Sequence, residues 1–248
     1  MEENAYLTSI IASIFYLIAG YRLLRLNRRT RERPELLLGL YFALSGIYYL
    51  GFNIPNLLRF DAWPPVVEVA IEWAYILGVF PYLFFTRSVF RSGDAWGGWV
   101  VGICSVFLVA GTLMFTIDGS VDYSLDNPWF IAQWVGYTTP CAWMCWEASI
   151  YRRSAQKRAR IGLCPPIVAN RYLLLALFAG FQVLACLADL SLAHEVGGNQ
   201  TVSLITDTLL GGAEIASIAL LWLAFFAPLF YSRWITRRAV ILPTPMDG

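Results

Sequence analysis

The sequence predicts an all-α integral membrane protein: a seven-helix bundle with its N-terminus outside and its C-terminus cytoplasmic. Three observations lead there. The 248-residue chain is 58% hydrophobic and 14% charged, with a mean hydropathy of +0.58, unlike the composition of a soluble domain. Apolar stretches of roughly 20 residues, enough to cross a hydrocarbon core of about 30 Å, recur seven times along it. Basic residues gather in alternate connections between those stretches.

The spans fall approximately at 5–24, 36–58, 66–86, 96–117, 129–151, 172–192 and 201–231, and together make a single domain, 1–248. The first follows the acidic start "MEENAYLTSI", which lacks the basic residues of a cleavable signal, so it is expected to remain. The third and seventh are the weakest because they carry acids. Each nevertheless ends in a proline-containing aromatic run with arginines, "VFPYLFFTRSVFR" and "FAPLFYSRWITRR".

Arg22, Arg25, Arg28, Arg29, Arg31 and Arg33 follow the first span, and Arg87 and Arg91 the third. Arg152, Arg153, Lys157, Arg158, Arg160 and Arg171 follow the fifth, and Arg233, Arg237 and Arg238 the seventh. On the other side only Arg59 is basic, among Asp61, Asp118, Asp122, Asp126 and Glu195. The positive-inside rule then sets the orientation. The excess of arginine over the single lysine, Lys157, fits a GC-rich genome, and the expected location is a bacterial cytoplasmic (inner) membrane. None of the five cysteines lies in an outer loop, so no disulfide framework is expected.

"ELLLGLYFALSG" from Glu35 aligns with "YLLLALFAGFQV" from Tyr172, each after an arginine-rich loop. The third and seventh spans share their proline, aromatics and paired arginines. This pattern suggests a parallel three-plus-one-plus-three repeat, with the fourth span as linker and a pocket between the halves.

Ionisable groups inside spans are costly, at least ~2.5 kcal/mol at a helix centre, and point to function by default. Glu68 and Glu72 lie in the outer part of the third span, Asp189 near the outer end of the sixth, and Asp207 and Glu214 in the outer half of the seventh. Glu68 with Glu72, and Asp207 with Glu214, each share a helix face by their spacing. Glu68, Asp189 and Asp207 are near enough to the interface to be solvated or capping, whereas Glu72 and Glu214 are deeper. Apart from Arg22 at the end of the first, no lysine or arginine lies within a span, so proton exchange is chemically available. Glu147 belongs to the other leaflet and is read as an i+5 partner of Arg152; His194 is read as an exposed loop residue.

Trp73, Tyr75, Trp134, Tyr137 and Trp222 are the candidate pocket aromatics, since rings with carboxylates are the components of a cation cage. In the seventh span Gly212, Ala216 and Ala219 form a small-residue stripe. The expectation is that this stripe packs against a neighbour and the Asp207, Glu214 and Ser217 side lines an outward-facing acidic and aromatic pocket.

"LITDTLLGG" is similar to the final-helix pattern of rhodopsins, in which an aspartate precedes the retinal lysine by four. Gly211 stands in the lysine's place and Lys157 is in a loop, so covalent retinal is excluded and no cofactor is predicted. In topology and length the chain resembles small sugar transporters of the three-plus-one-plus-three type, without their proline-glutamine loop signature. "CAWMCWEASIY" is loosely similar to the Trp-Glu helices of membrane-embedded terpene cyclases, which would imply intramembrane acid catalysis. A metal site is not expected with one histidine, and no nucleic-acid motif appears.

The favoured function is a proton- or cation-coupled small-solute transporter, more a carrier than an enzyme. A seven-helix ligand-binding sensor and a cyclase-type acid/base enzyme are the alternatives. The partners implied are the bilayer and a small molecule or cation, with a homo-oligomer or a separate signalling protein left open.

Overall fold

Seven helices follow one another: α1 (Glu2–Thr30), α2 (Arg33–Leu58), α3 (Pro65–Phe90), α4 (Ala95–Asp118), α5 (Pro128–Arg160), α6 (Pro166–His194) and α7 (Gln200–Phe225). The structure, a computed structural model, describes residues 2–58, 63–194, 200–226, 231 and 235, with side chains described except at 2–9, 56, 192–194 and 200–208. Arg59, Asp61, Glu195, Arg233, Arg237 and Arg238 lie outside the described residues, as do the side chains of Asp207 and His194.

The first six predicted spans each fall inside one helix; α7 covers the seventh as far as Phe225, and residues 227–230 of that span lie outside the described residues. At the arginine-rich end α1, α3 and α5 outrun their spans, reaching Thr30, Phe90 and Arg160. Arginines there sit at helix C-termini, where the exposed carbonyls favour positive charge. Proline opens α3, α5 and α6 and is the second residue of α2, positions where its missing N–H costs nothing. Gly119, at φ 66°, ends α4 in the left-handed region that glycine tolerates.

Five helices, α1, α2, α3, α4 and α6, are long and apolar enough to cross a membrane. The acids of α3 do not disqualify it. The polar one is α5, which carries Gln133, Glu147 and a terminal run of basic residues, and the apolar part of α7 is the shorter Leu209–Phe225. Large apolar side chains face outward along α1 (Ile11, Ile14, Phe15, Ile18), α4 (Ile103, Val106, Leu113, Ile117) and α6 (Leu177, Leu184, Leu187). Such an extent of exposed apolar surface suits lipid contact, not water.

Each helix packs on the next in sequence, α7 returns to α1, and α3 also touches α5. The ring is therefore closed, and α4 leans on the outside of the α3–α5 seam. Glycines set the two tightest crossings. A Cβ on Gly20 would lie 2.7 Å from the Ala43 amide nitrogen, and Gly39 and Gly46 receive Leu24 and Leu17 in the same antiparallel α1–α2 register. In α4, a Cβ on Gly111 would meet the Trp129 carbonyl at 2.7 Å, while Gly136 of α5 receives Leu108.

The small-residue stripe of α7 behaves differently from expectation. Gly212 and Ala219 are exposed and Ala216 is half-buried, while Gly211, Ala213, Glu214 and Ser217 are buried. A helix at the rim of a ring has one inward arc, and burial of the carboxylate takes it. The stripe is left on the outer surface.

All five cysteines are free. Gly20→Ala should destabilise the protein by about 1–3 kcal/mol through overpacking at Ala43. Gly212→Ala, whose Cβ has no neighbour within 4 Å, should leave stability unchanged or raise it by up to about 1 kcal/mol. Unfolding by dodecyl sulfate in mixed micelles measures both, and a large loss for Gly212→Ala would put the stripe in a packed interface.

Candidate functional site

Glu72 lies two turns into α3, on the side that faces α5, and is only 3% exposed. One of its carboxylate oxygens accepts a hydrogen bond from the hydroxyl of Tyr123, in the α4–α5 connection. The other accepts from Gln133 Nε2 of α5 at 3.2 Å. That amide nitrogen also donates to Thr112 Oγ1 of α4 at 3.1 Å, and the threonine hydroxyl in turn donates to the Leu108 carbonyl at 2.9 Å. Both oxygens of this acid are thus held by donors from other segments, at the carboxylate end of the bundle.

Glu214 of α7 is 2% exposed and held less completely. Its Oε1 has no hydrogen-bond partner. Tyr49 of α2 lies within side-chain reach of its carboxylate. One turn further along α7, Ser217 Oγ donates to the Glu214 carbonyl at 2.7 Å and accepts from Gln182 Nε2 of α6 at 2.7 Å. Gln182 also donates to the Tyr16 hydroxyl of α1 at 3.0 Å and accepts at Oε1 from the Tyr41 hydroxyl of α2 at 3.4 Å. One glutamine side chain therefore ties together four helices.

Between these two groups lies Asp189 of α6. It is half-buried, and its charge is within electrostatic reach of both Glu72 and Glu214. The adjacent residues Tyr48 and Tyr49 of α2 turn to different acids: Tyr48 is within side-chain reach of Glu72, Tyr49 of Glu214. Their rings are 5.2 Å apart. Tyr48 stacks on Tyr75 of α3 at 4.6 Å, and Tyr75 meets Tyr137 of α5 edge-on at 5.7 Å.

Toward the arginine-rich end the interior stays polar for another turn and then closes. Ser45 of α2, Tyr82 of α3 and Thr138 of α5 each carry a buried hydroxyl without a hydrogen-bond partner. Below them Leu38, Phe42, Phe85, Met144, Leu175, Phe178 and Leu221 form one buried apolar cluster. The same cluster takes in Tyr16, Tyr41 and Tyr82, so the polar groups are set into its acid-side edge and hydrocarbon predominates toward the arginine-rich end.

The predicted site residues scatter about this column. Glu72, Glu214, Asp189, Tyr75 and Tyr137 lie along it. Glu68 is half-buried one turn nearer the helix start, and the Asp207 side chain is outside the described residues. Trp134 donates from Nε1 to the Cys186 carbonyl at 2.8 Å, bracing α5 on α6. Trp73 points toward α4, donating to Thr116 Oγ1 at 2.9 Å in an exposed position. Trp222 is a correction: it lies beneath the Arg22 guanidinium, 4.7 Å from the ring centre, at the arginine-rich end and away from the acids. The sequence reading missed Tyr16, Tyr41, Tyr48, Tyr49, Tyr123 and Gln182. Helical spacing of Tyr41, Ser45 and Tyr48, and of Gln182, Cys186 and Asp189, is the signal that picks most of them out.

Glu147 does pair with an arginine of the arginine-rich end, but one from another helix. It is 1% exposed, and its Oε1 accepts from Arg91 Nε at 2.8 Å and from Trp143 Nε1 at 3.3 Å, not from Arg152. Arg152 is on the same helix but round from the buried face, whereas α3 delivers Arg91 directly across the seam. Arg91 also pairs with Asp94 at 3.0 Å and lies 5.1 Å over the ring of Trp96. The bonds to Glu147, then to Asp94, raise the Arg91 pKa above its ordinary value, so its charge is permanent. Gly97 and Gly98 of α4 leave room for Arg91 and Arg87.

No protein-family model, curated protein or solved structure matches this chain. The site is read from its own chemistry.

Removing one member of a buried ion pair strands the other, which costs about 3–5 kcal/mol, while exposed pairs contribute roughly 0–1 kcal/mol. Arg91→Gln should therefore lower stability in mixed micelles several-fold more than Asp94→Asn. Similar losses for the two variants would show that the Glu147 contact carries little.

Proposed function

We propose that this multi-pass membrane protein is a carrier that moves a small solute coupled to protons or a cation, with Glu72, Asp189 and Glu214 as the exchanging acids. The observation that carries the proposal is the convergence of these three side chains, from α3, α6 and α7, on a tyrosine-lined interior that ends on the apolar cluster. Among the described residues no ion pair involves any of them. An unpaired carboxylate in low dielectric is costly, and binding either a proton or a cation relieves the cost. Acids that exchange one for the other couple the two movements.

The acids come from both sides of α4: Glu72 from the first three helices, Asp189 and Glu214 from the last three. Closure over the apolar cluster at one end is the arrangement expected of one face of an alternating-access cycle. The half-buried Tyr48, Tyr49, Tyr75 and Asp189 favour entry from the other end. In this proposal that end is external and the arginine-rich end is cytoplasmic, in a bacterial inner membrane.

Two experiments test it. Proteoliposomes holding a pH-sensitive dye should dissipate an imposed pH gradient far faster with wild type than with a Glu72→Gln/Glu214→Gln double variant, whose rate should fall to that of empty liposomes. Equal rates would sink the coupling. For the orientation, a membrane-impermeant amine reagent should leave Lys157 untouched in intact cells and modify it after permeabilisation; labelling in intact cells would invert the topology.

A further inference from the structure

The interior groups also restrict what the carried solute is. We propose that the centre between Asp189 and Glu214 binds an organic ammonium ion of small size, held by the two carboxylates and the tyrosine rings of α2, α3 and α5. The identification of this ion as cargo rests on the carrier reading.

A positive charge would supply what the acids lack. Asp189 makes no hydrogen bond or ion pair among the described residues, and Glu214 Oε1 is unpartnered in a side chain only 2% exposed. Asp189 is within electrostatic reach of Tyr48, Tyr49 and Tyr137, which places the charge among the rings. Glu72 is a different case, since donors already hold both its oxygens. The two incompletely held acids are the ones left for a ligand.

An organic ion fits better than a bare metal ion because of the walls. A hard cation is satisfied by six or more oxygens at short range, whereas this centre is surrounded chiefly by rings. Tyr49, Tyr48, Tyr75 and Tyr137 form an unbroken chain of ring contacts, at 5.2, 4.6 and 5.7 Å, contributed by three helices. Ring faces attract an ammonium through their quadrupole and cover its alkyl groups with apolar surface. Further in, the unpartnered hydroxyls of Ser45, Tyr82 and Thr138 suit a short polar tail. The apolar cluster beyond them, with Phe42 and Phe178 fully buried, sets the limit on length.

The test compares choline with its neutral tert-butyl analogue, in which carbon replaces nitrogen and shape is kept. Calorimetry on the purified wild-type protein should show choline binding at least about tenfold more tightly than the analogue, as cation–π and carboxylate attraction require. Asp189→Asn should abolish the preference, while Tyr75→Phe, which keeps the ring, should retain it. Equal binding of the two compounds to wild type, or binding of sodium with neither compound, overturns the proposal without any variant having to fold. Proton flux without choline binding would refute the ammonium site and leave the carrier standing. Choline binding without flux would keep the site and remove the carrier.

Discussion

A carboxylate inside this bundle gets little from its own helix, whose backbone N–H groups are already used, and depends mainly on side-chain donors from other segments. That constraint organises the interior. Glu147 meets it with a full charge, taking Arg91 from α3. Glu72 meets it with neutral donors, a tyrosine from a connection and a glutamine from α5. Among the described residues Glu214 has no charged partner, and its Oε1 is unpartnered, as is Oε2 of Glu147. The cost of burying charge falls steeply with each good hydrogen bond, so the three acids form a series. Glu214, with no charged partner and one oxygen bare, has the least support of the three.

The packing divides in the same way. Where glycines let backbones approach, between α1 and α2 and between α4 and α5, the contact is close and needs no polar help. Between α1, α2, α6 and α7 the buried Gln182 spans the interior, touching Tyr16, Tyr41 and Ser217 on three other helices. Hydrogen bonds between helices in lipid are worth on the order of 1 kcal/mol each, so this one amide supplies orientation more than cohesion.

Much of this was legible in the sequence, for identifiable reasons. The spans could be read because a membrane imposes a length on apolar runs, and prolines mark where α3, α5 and α6 begin. The depth of Glu72 and Glu214 followed from counting along a helix. What could not be read was the register between helices. It decides that Glu147 meets Arg91 and not Arg152, and that Trp222 sits under Arg22. The α7 stripe misled because small residues favour close contact only where a helix is present to make it, and Gly212 has none beside it. Tyr123 was invisible for a simpler cause: a loop has no periodicity to reveal which side chain turns inward.

The links between α3 and α5 carry a mechanical consequence. Glu72–Gln133 fastens the two helices near one end and Arg91–Glu147 further along, about 21 Å apart on α5 and about 28 Å on α3 at ~1.5 Å per residue. Two fasteners that far apart resist both sliding and scissoring. A third, Gln133–Thr112, clamps α4 to the pair. These three helices are thus tied together at two levels. Pulling α3 away from α5 would break a buried hydrogen bond and a buried ion pair at once.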